Sequence, residues 1–392
     1  MTRFNAFAAL RYQGSTDVPA DISHLVAPPY DVLSDEQRND LEAKHPANSV
    51  RLDFPHGKTD PNAYVSARAA LNSWRDTGTL TLDGEPSLTV YRMTDPSSGR
   101  VTTGVIGALG LEHPGVGSVL PHEETTAKDK ADRLSLIRAT EINTSPIWVL
   151  ATTSGLGALC TEVANGSSPA ATAVDLDGVR HEVWIVTDSA KIAQLRAFVE
   201  DGPVVVADGH HRLETALAYE TERPEADAIM AYVVELSPDE LEVRPIHRIV
   251  SAPSLDEVLS AIDSSFDRRL ADSESVSSLA GPVLVLPDGS RSILVPRPGS
   301  FDDAIGLDSE RVRIALSSVR GAETAFHHDI ATVVARAKAS ESGAVIGLLL
   351  RPATVPQIRA VADARTRMPP KTTFFFPKPR TGLLFRPVVD QL

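Results

Sequence analysis

Asp208, His210, His211 and Arg212 put an acid, two imidazoles and a guanidinium within five positions of the stretch PVVVADGHHRLETALAY, residues 203–219. The apolar run Val204, Val205, Val206 that precedes them is too short for a helix and typical of a buried strand. Leu213, Ala216, Leu217 and Ala218 with Tyr219 after them fit one face of a helix. The four residues therefore fall at a strand-to-helix junction, where backbone N–H groups and the helix dipole favour an anion. Phosphoryl transfer suits such a set, because it needs positioning, charge neutralisation and a carboxylate to take a hydroxyl proton. Asp208 is the candidate base, with His210, His211 and Arg212 as candidate holders of the transferring phosphate. The plainer alternative is an Asp-Gly turn with surface histidines and Asp208 as a helix cap.

A second stretch, LPHEETTAKDKADRLSLIRATEINTSP (120–146), concentrates charge before and along an expected helix over 127–141. Its Glu123 and Glu124 read as an acid–base pair or as a Mg²⁺-holding pair, hard carboxylate oxygens being what Mg²⁺ prefers, and His122, Lys128, Lys130, Arg133 and Arg138 surround them in sequence. A solvated, charged helix face is the ordinary reading of that mixture. His247 and Arg248 in RPIHRIV can join the site from a neighbouring strand. Lys371, Lys378 and Arg380 in MPPKTTFFFPKPRTG either reach an anionic substrate or are solvated edge residues. The segment HLVAPPYDVLS places Tyr30 and Asp31 at a rigid di-proline corner, with Ser34 as the cap of a following helix.

Competing chemistries fare less well. His210, His211 and Glu214 make a poor zinc set, since adjacent histidines on a helix point apart; a third ligand from His122 or His247 stays open. No Gly-x-Ser-x-Gly elbow, P-loop or protein-kinase signature set occurs in the sequence.

The elements that must position these residues come from a 392-residue chain, long enough for two or three packed units. A hydrophobic content of 42% and a charged content of 23% are those of an ordinary globular protein. The net charge of −14 argues against broad nucleic-acid or anionic-membrane binding. The single cysteine, Cys160, excludes an intramolecular disulfide framework. Without an apolar span or a signal-peptide core, the expected location is cytoplasmic. Residues 49–55 alternate like a strand, and 63–77 read as an amphipathic helix. Hairpins are expected over 88–111 and 174–186. Further helices are expected over 189–200, capped by Ser189, and over 325–339, opened by Phe326-His327-His328-Asp329.

The blocks APPYDVLS, LPHEETTAKDKADRLSLIRATEINTSPI, ADGHHRLETAL, RPIHR and MPPKTTFFFPKPRTGL occur here in an order that resembles a large bacterial family long catalogued as a domain of unknown function. Its members are known as free L-serine kinases that use pyrophosphate and yield O-phosphoserine. More distantly the chain resembles the ParB/sulfiredoxin-like fold and the archaeal free-serine kinase. The resemblance implies a mixed α/β (α+β) sheet architecture, with a ParB-like catalytic region in residues 1–250. An α+β C-terminal region in 251–392 follows, and its last strand is expected to return to the site. It implies Asp208 as the acid that deprotonates serine, with His210, His211 and Arg212 on phosphate, and His122-Glu123 as a second block. Asp132, Arg133 and Asn143 are implied to bind substrate or phosphate. Mg²⁺ is the expected cofactor, with Glu123 and Asp208 as its candidate ligands; L-serine and pyrophosphate are the expected partners. The sequence leaves two alternatives: a ParB-like nucleotide or diphosphate hydrolase, and a non-catalytic phospholigand sensor. It leaves the oligomeric state open.

Overall fold

The computed structural model describes residues 2–13, 19–55, 62–113, 117–121, 127–272, 280–301, 305–339 and 344–389, without the side chains of 127–130. The expected candidates His122, Glu123 and Glu124, and the Lys128 side chain, lie outside the described residues. Among the described residues the chain forms two compact units. One contains the chain up to Leu241 together with the segment from Pro377 onward; the other is Glu242–Phe376. No helix among the described residues is long and apolar enough to cross a membrane.

The first unit is built on a mixed sheet of ten strands among the described residues. From one edge it runs Ala20–Asp21, Ala171–Val174, Arg180–Val186, Leu88–Thr94, Val101–Gly110, Ala228–Glu235, Ile147–Ala151, Val204–Asp208 and Val119–Pro121, with Phe4–Asn5 added on Val101–Gly110. Val204–Asp208 lies antiparallel to Ile147–Ala151 and parallel to Val119–Pro121. Val204, Val205 and Val206 are all fully buried, which explains a continuous apolar run rather than an alternating one. The register shifts between Val206 and Asp208, so the strand ends in an irregularity that re-aims its last residue. Both expected hairpins form, as Leu88–Thr94 with Val101–Gly110 and Ala171–Val174 with Arg180–Val186.

Three expected elements differ. Residues 49–55 fold as a short helix, Val50–Asp53, because the Asn48 side-chain oxygen takes the Val50 N–H at 2.9 Å and so begins a helical turn. That turn buries Leu52 and Asp53 together, which a strand would send to opposite faces. The helix Ser189–Glu200 is capped by Asp188, not Ser189, through the Lys191 N–H. Residues 325–339 divide into a strand, Glu323–His327, and a helix, Ile330–Lys338, whose cap is Asp329.

In the second unit six antiparallel strands are ordered Phe266–Leu270, Arg291–Pro296, Val283–Val285, Val345–Leu349, His247–Ser251 and Glu323–His327. Their pleat sends Val250, Leu284 and Leu348 into one cluster with the helices Leu255–Ser265 and Asp308–Leu316. Ile249, Val283, Val285 and Leu349 go to another, under Ile330–Lys338. Separately, Glu242–Pro245 pairs antiparallel with Thr373–Phe376, setting Glu242 opposite Phe376.

His247 is fully buried in this unit, and its Nδ1 accepts the Leu350 N–H at 3.0 Å. Burial, with the neighbouring Arg248 charge, pushes its imidazole down to about 4. The folded value is below the ordinary one, so this contribution to stability is complete above the unfolded value and is lost as pH falls. Urea unfolding should therefore lose about 3 kcal/mol between pH 7 and pH 4 through this residue. His247→Gln should flatten that slope; an unchanged slope in a folded variant would show that the pH sensitivity arises elsewhere.

Candidate functional site

The backbone at the 203–219 stretch follows directly from its sequence. Gly209 adopts φ +93°, a conformation that β-carbons disfavour, and turns the strand into the helix His210–Glu222. A β-carbon there would also meet Ile147 Cγ2 at 2.8 Å and the Arg212 Nη2 at 3.1 Å. The first intrahelical bond runs from Leu213 N to Gly209 O, so the amides of residues 210–212 form the positive end of the helix.

Asp208 sits at this end between two cations. Lys378 Nζ donates to its Oδ1 at 2.5 Å, and Arg212 Nη2 to its Oδ2 at 3.2 Å. Arg212 is itself fixed by donating to Ser145 Oγ at 2.9 Å and to the Pro146 carbonyl at 2.5 Å. Burial alone would raise the Asp208 carboxyl, but Lys378, Arg212 and more weakly His210 override it and hold it at about 2. The Asp208 side chain is 18% exposed. A carboxylate has about four lone-pair positions. Two cations leave Asp208 with capacity to accept a hydroxyl proton.

Two other carboxylates of this unit have no such capacity. Asp53 accepts from Thr144 Oγ1 at 2.6 Å, Thr381 Oγ1 at 3.2 Å, Tyr30 N at 3.3 Å and Arg133 Nη1 at 3.5 Å. Arg133 also donates to the Asp53 carbonyl and to Asp132, and its guanidinium stacks 3.9 Å from the Tyr30 ring centroid. Asp132 in turn accepts from Tyr64 Oη at 2.8 Å. Asp175 accepts the Asp177 and Val179 N–H groups on one oxygen, and Arg380 and His181 on the other. Burial would raise Asp175, yet His181 and Arg380 hold it at about 2, while burial keeps His181 below its ordinary range. A neutral His181 donates from Nε2 to Asp175 and accepts from Tyr91 Oη at Nδ1, 2.7 Å away.

These saturated acids fasten the segment that carries Lys378. Arg380 binds Asp175, Thr381 binds Asp53, and the Thr381 backbone exchanges two hydrogen bonds with Ala27.

The expected candidates are therefore distributed as follows. Asp208, His210, His211 and Arg212 share one helix end, while Asp132 and Arg133 belong to the Asp53 network. A cavity of about 40 Å³ lies among Asp53, Arg133, Asn143, Ser145, Arg212 and Thr215, room for a water or two and too small for a substrate. Asn143 accepts from Met230 N at 2.9 Å and from Arg386 at 3.2 Å, a bracing role. Of the di-proline corner, Tyr30 is buried and Asp31 is exposed. His247, Arg248 and Lys371 belong to the second unit. There Arg248 is buried, donates to Ile246 O at 2.8 Å and stacks over Phe326, and Lys371 is exposed. The sequence offers Lys378 as a cation for an anionic substrate but gives no local sign of its partner Asp208, 170 positions away, and the turn residue Asp175 gives none of its pairing with Arg380, 205 positions away.

The Arg380–Asp175 pair is almost completely buried, with side chains 6% and 5% exposed. Arg380→Met should cost roughly 3–5 kcal/mol in urea unfolding, since it leaves the Asp175 charge buried. Adding Asp175→Asn should recover a large part of that loss. Equal losses in the single and double variants would contradict the coupling.

The family model described as "Protein of unknown function (DUF1015)" matches residues 4–330. No curated protein matches the chain. Among solved structures, SbnI with a C-terminal truncation, from Staphylococcus aureus, is similar at 12% identity. That match covers 69% of this chain and 82% of that one, with a TM-score of 0.41. A conserved hypothetical protein from Pyrococcus furiosus is similar at 11% identity, covering 67% and 90%, TM-score 0.38. A free serine kinase in complex with AMP is similar at 13% identity, covering 68% and 89%, TM-score 0.39. These structural likenesses are loose, whereas the family match spans most of the sequence. The chain belongs to the DUF1015 family.

Proposed function

We propose that the chain is a phosphotransferase that moves a phosphoryl group from pyrophosphate to the hydroxyl of free L-serine, giving O-phospho-L-serine and orthophosphate. The observation that carries this reading is the Asp208 carboxylate, kept ionised between two cations where a buried strand turns into a helix. The sequence blocks shared with the serine-kinase family supply the identities of acceptor and donor. In this reading the serine Oγ attacks the terminal phosphorus and the bridging P–O bond breaks. The hydroxyl proton passes to Asp208, and the bond's electron pair leaves with orthophosphate.

A carboxylate with so low a proton affinity is a weak base. That suits phosphoryl transfer, whose loose transition state depends more on positioning and charge neutralisation than on early proton removal. Arg212, His210 and His211 are proposed to hold the donor at the positive end of their helix. Mg²⁺ is proposed to accompany the donor, with Glu123 as protein ligand; bound there, it would neutralise phosphate charge. Asp208, already flanked by two cations, fits the role of base better than that of metal ligand. Among the described residues no group of three or more His, Cys, Asp or Glu is placed to hold a metal.

The test is direct detection of O-phosphoserine from purified protein, L-serine and Mg²⁺, with pyrophosphate, ATP and ADP compared as donors. Product from pyrophosphate is the expected result. Donor consumption without serine would favour hydrolysis, and saturable binding without turnover a sensor. Asp208→Asn should lower kcat by roughly 10²–10⁴-fold with the fold retained by circular dichroism. Near-normal turnover in that variant would remove Asp208 as the base.

A further inference from the structure

Thr215 follows Arg212 by one helical turn in His210–Glu222, so the two share a face, and both line the cavity of about 40 Å³. Thr215 is 4% exposed, and its Oγ1 makes no hydrogen bond among the described residues. A helical threonine can satisfy its hydroxyl on a carbonyl three or four positions back. Thr140 does so on Leu136 at 2.8 Å, and Thr221 on Ala218 at 2.7 Å. Thr215 makes no such bond, so its hydroxyl is left for the side chains across the cavity. Those side chains are rich in donors. Arg212 has five N–H groups and directs them to Ser145, Pro146 and Asp208, with N–H capacity to spare. Ser145 Oγ accepts from Arg212 and keeps its own proton to donate. Arg133 lines the same cavity from the Asp53 network.

The two guanidinium charges already have carboxylates, Asp208 for Arg212 and Asp53 and Asp132 for Arg133. The group that suits these walls is therefore neutral and able both to accept and to donate, which describes water. A buried water takes about 30 Å³ and needs roughly two to four polar partners, and this cavity meets both conditions. We infer that Thr215 and one buried water form a bridge to Arg212, and that Thr215 is thereby a positioning residue for the guanidinium on Asp208. Arg212 is held through Nη1 by Ser145 and Pro146 and through Nη2 by Asp208. A water taking a further N–H fixes the plane of that fork, with Thr215 holding the water from the next turn of the same helix. The consequence for turnover rests on the proposed phosphoryl-transfer reading; the bridge itself does not.

The experiment is NMR on the full chain, comparing the wild type with Thr215→Val, which keeps the shape and removes the hydroxyl, and with Thr215→Ser, which keeps the hydroxyl. In the wild type a long-lived water should give a nuclear Overhauser cross-peak to the Thr215 methyl group; its absence overturns the bridge. In Thr215→Val, exchange of the Arg212 guanidinium protons with solvent should quicken by roughly fivefold, the worth of one hydrogen bond. Thr215→Ser should restore the slow exchange. Exchange unmoved in Thr215→Val overturns the positioning role. Urea unfolding gives a second reading. A hydroxyl buried without water is a liability, so its removal would raise the midpoint, whereas the bridge predicts a lowered midpoint; an unchanged or raised one counts against it. The wild-type cross-peak needs no variant, so a Thr215→Val chain that fails to fold leaves the test decisive. These readings are taken without turnover. The cross-peak and the quickened exchange in a chain that makes no phosphoserine keep the bridge and remove the kinase, and phosphoserine from a chain without the cross-peak does the reverse.

Discussion

A carboxylate held between an ammonium and a guanidinium demands that three separately anchored groups meet within hydrogen-bond distance. At Asp208 the anchors are a buried strand end, the first turn of the helix after it, and a segment about 170 positions further along the chain. Each anchor has its own cause. The three valines hold the strand in the sheet, Gly209 permits the turn that presents Arg212, and the Asp175 and Asp53 networks hold the segment that delivers Lys378. Much of the first unit's buried polar structure serves this meeting.

The three acids involved differ in what they have left to offer. Asp53 and Asp175 have four or more partners each and are buried, so they bind the fold together and have no remaining acceptor positions for chemistry. Asp208 has two partners and partial exposure. Residue type does not separate these cases, and depressed proton affinity does not separate Asp208 from Asp175, since both are held at about 2. The count of partners and the access of solvent do.

That distinction marks where sequence reasoning succeeds and where it stops. The junction at 203–219 was legible because strand, glycine turn and helix are local matters, written in a valine run, an Asp-Gly pair and an amphipathic face. The hairpins at 88–111 and 174–186 were legible for the same reason. The short helix Val50–Asp53 was not, because Val50, Leu52 and Phe54 alternate as a strand would and only the Asn48 contact decides otherwise. Lys378 was visible as a cation in a proline-rich stretch, but nothing local distinguishes a lysine aimed at a buried acid from one left in solvent. Asp175 gave still less, since its role depends on Arg380 and His181, one distant in sequence and the other on the neighbouring strand.

The second unit interrupts the chain of the first, and its own first and last strands pair with each other, Glu242 opposite Phe376. Seen from the first unit, that pairing turns a long excursion into something like a short turn. An unfolded excursion would impose a loop-closure entropy that grows with its length, and would dilute the Lys378 ammonium seen by Asp208. Once Glu242–Pro245 and Thr373–Phe376 are zipped together, the two ends of the excursion are neighbours. The local concentration of the closing segment then depends on the folding of the inserted unit. Substitutions that loosen only that unit would thus be felt at Asp208 as a weaker, more intermittent Lys378, without any change in the residues around the carboxylate.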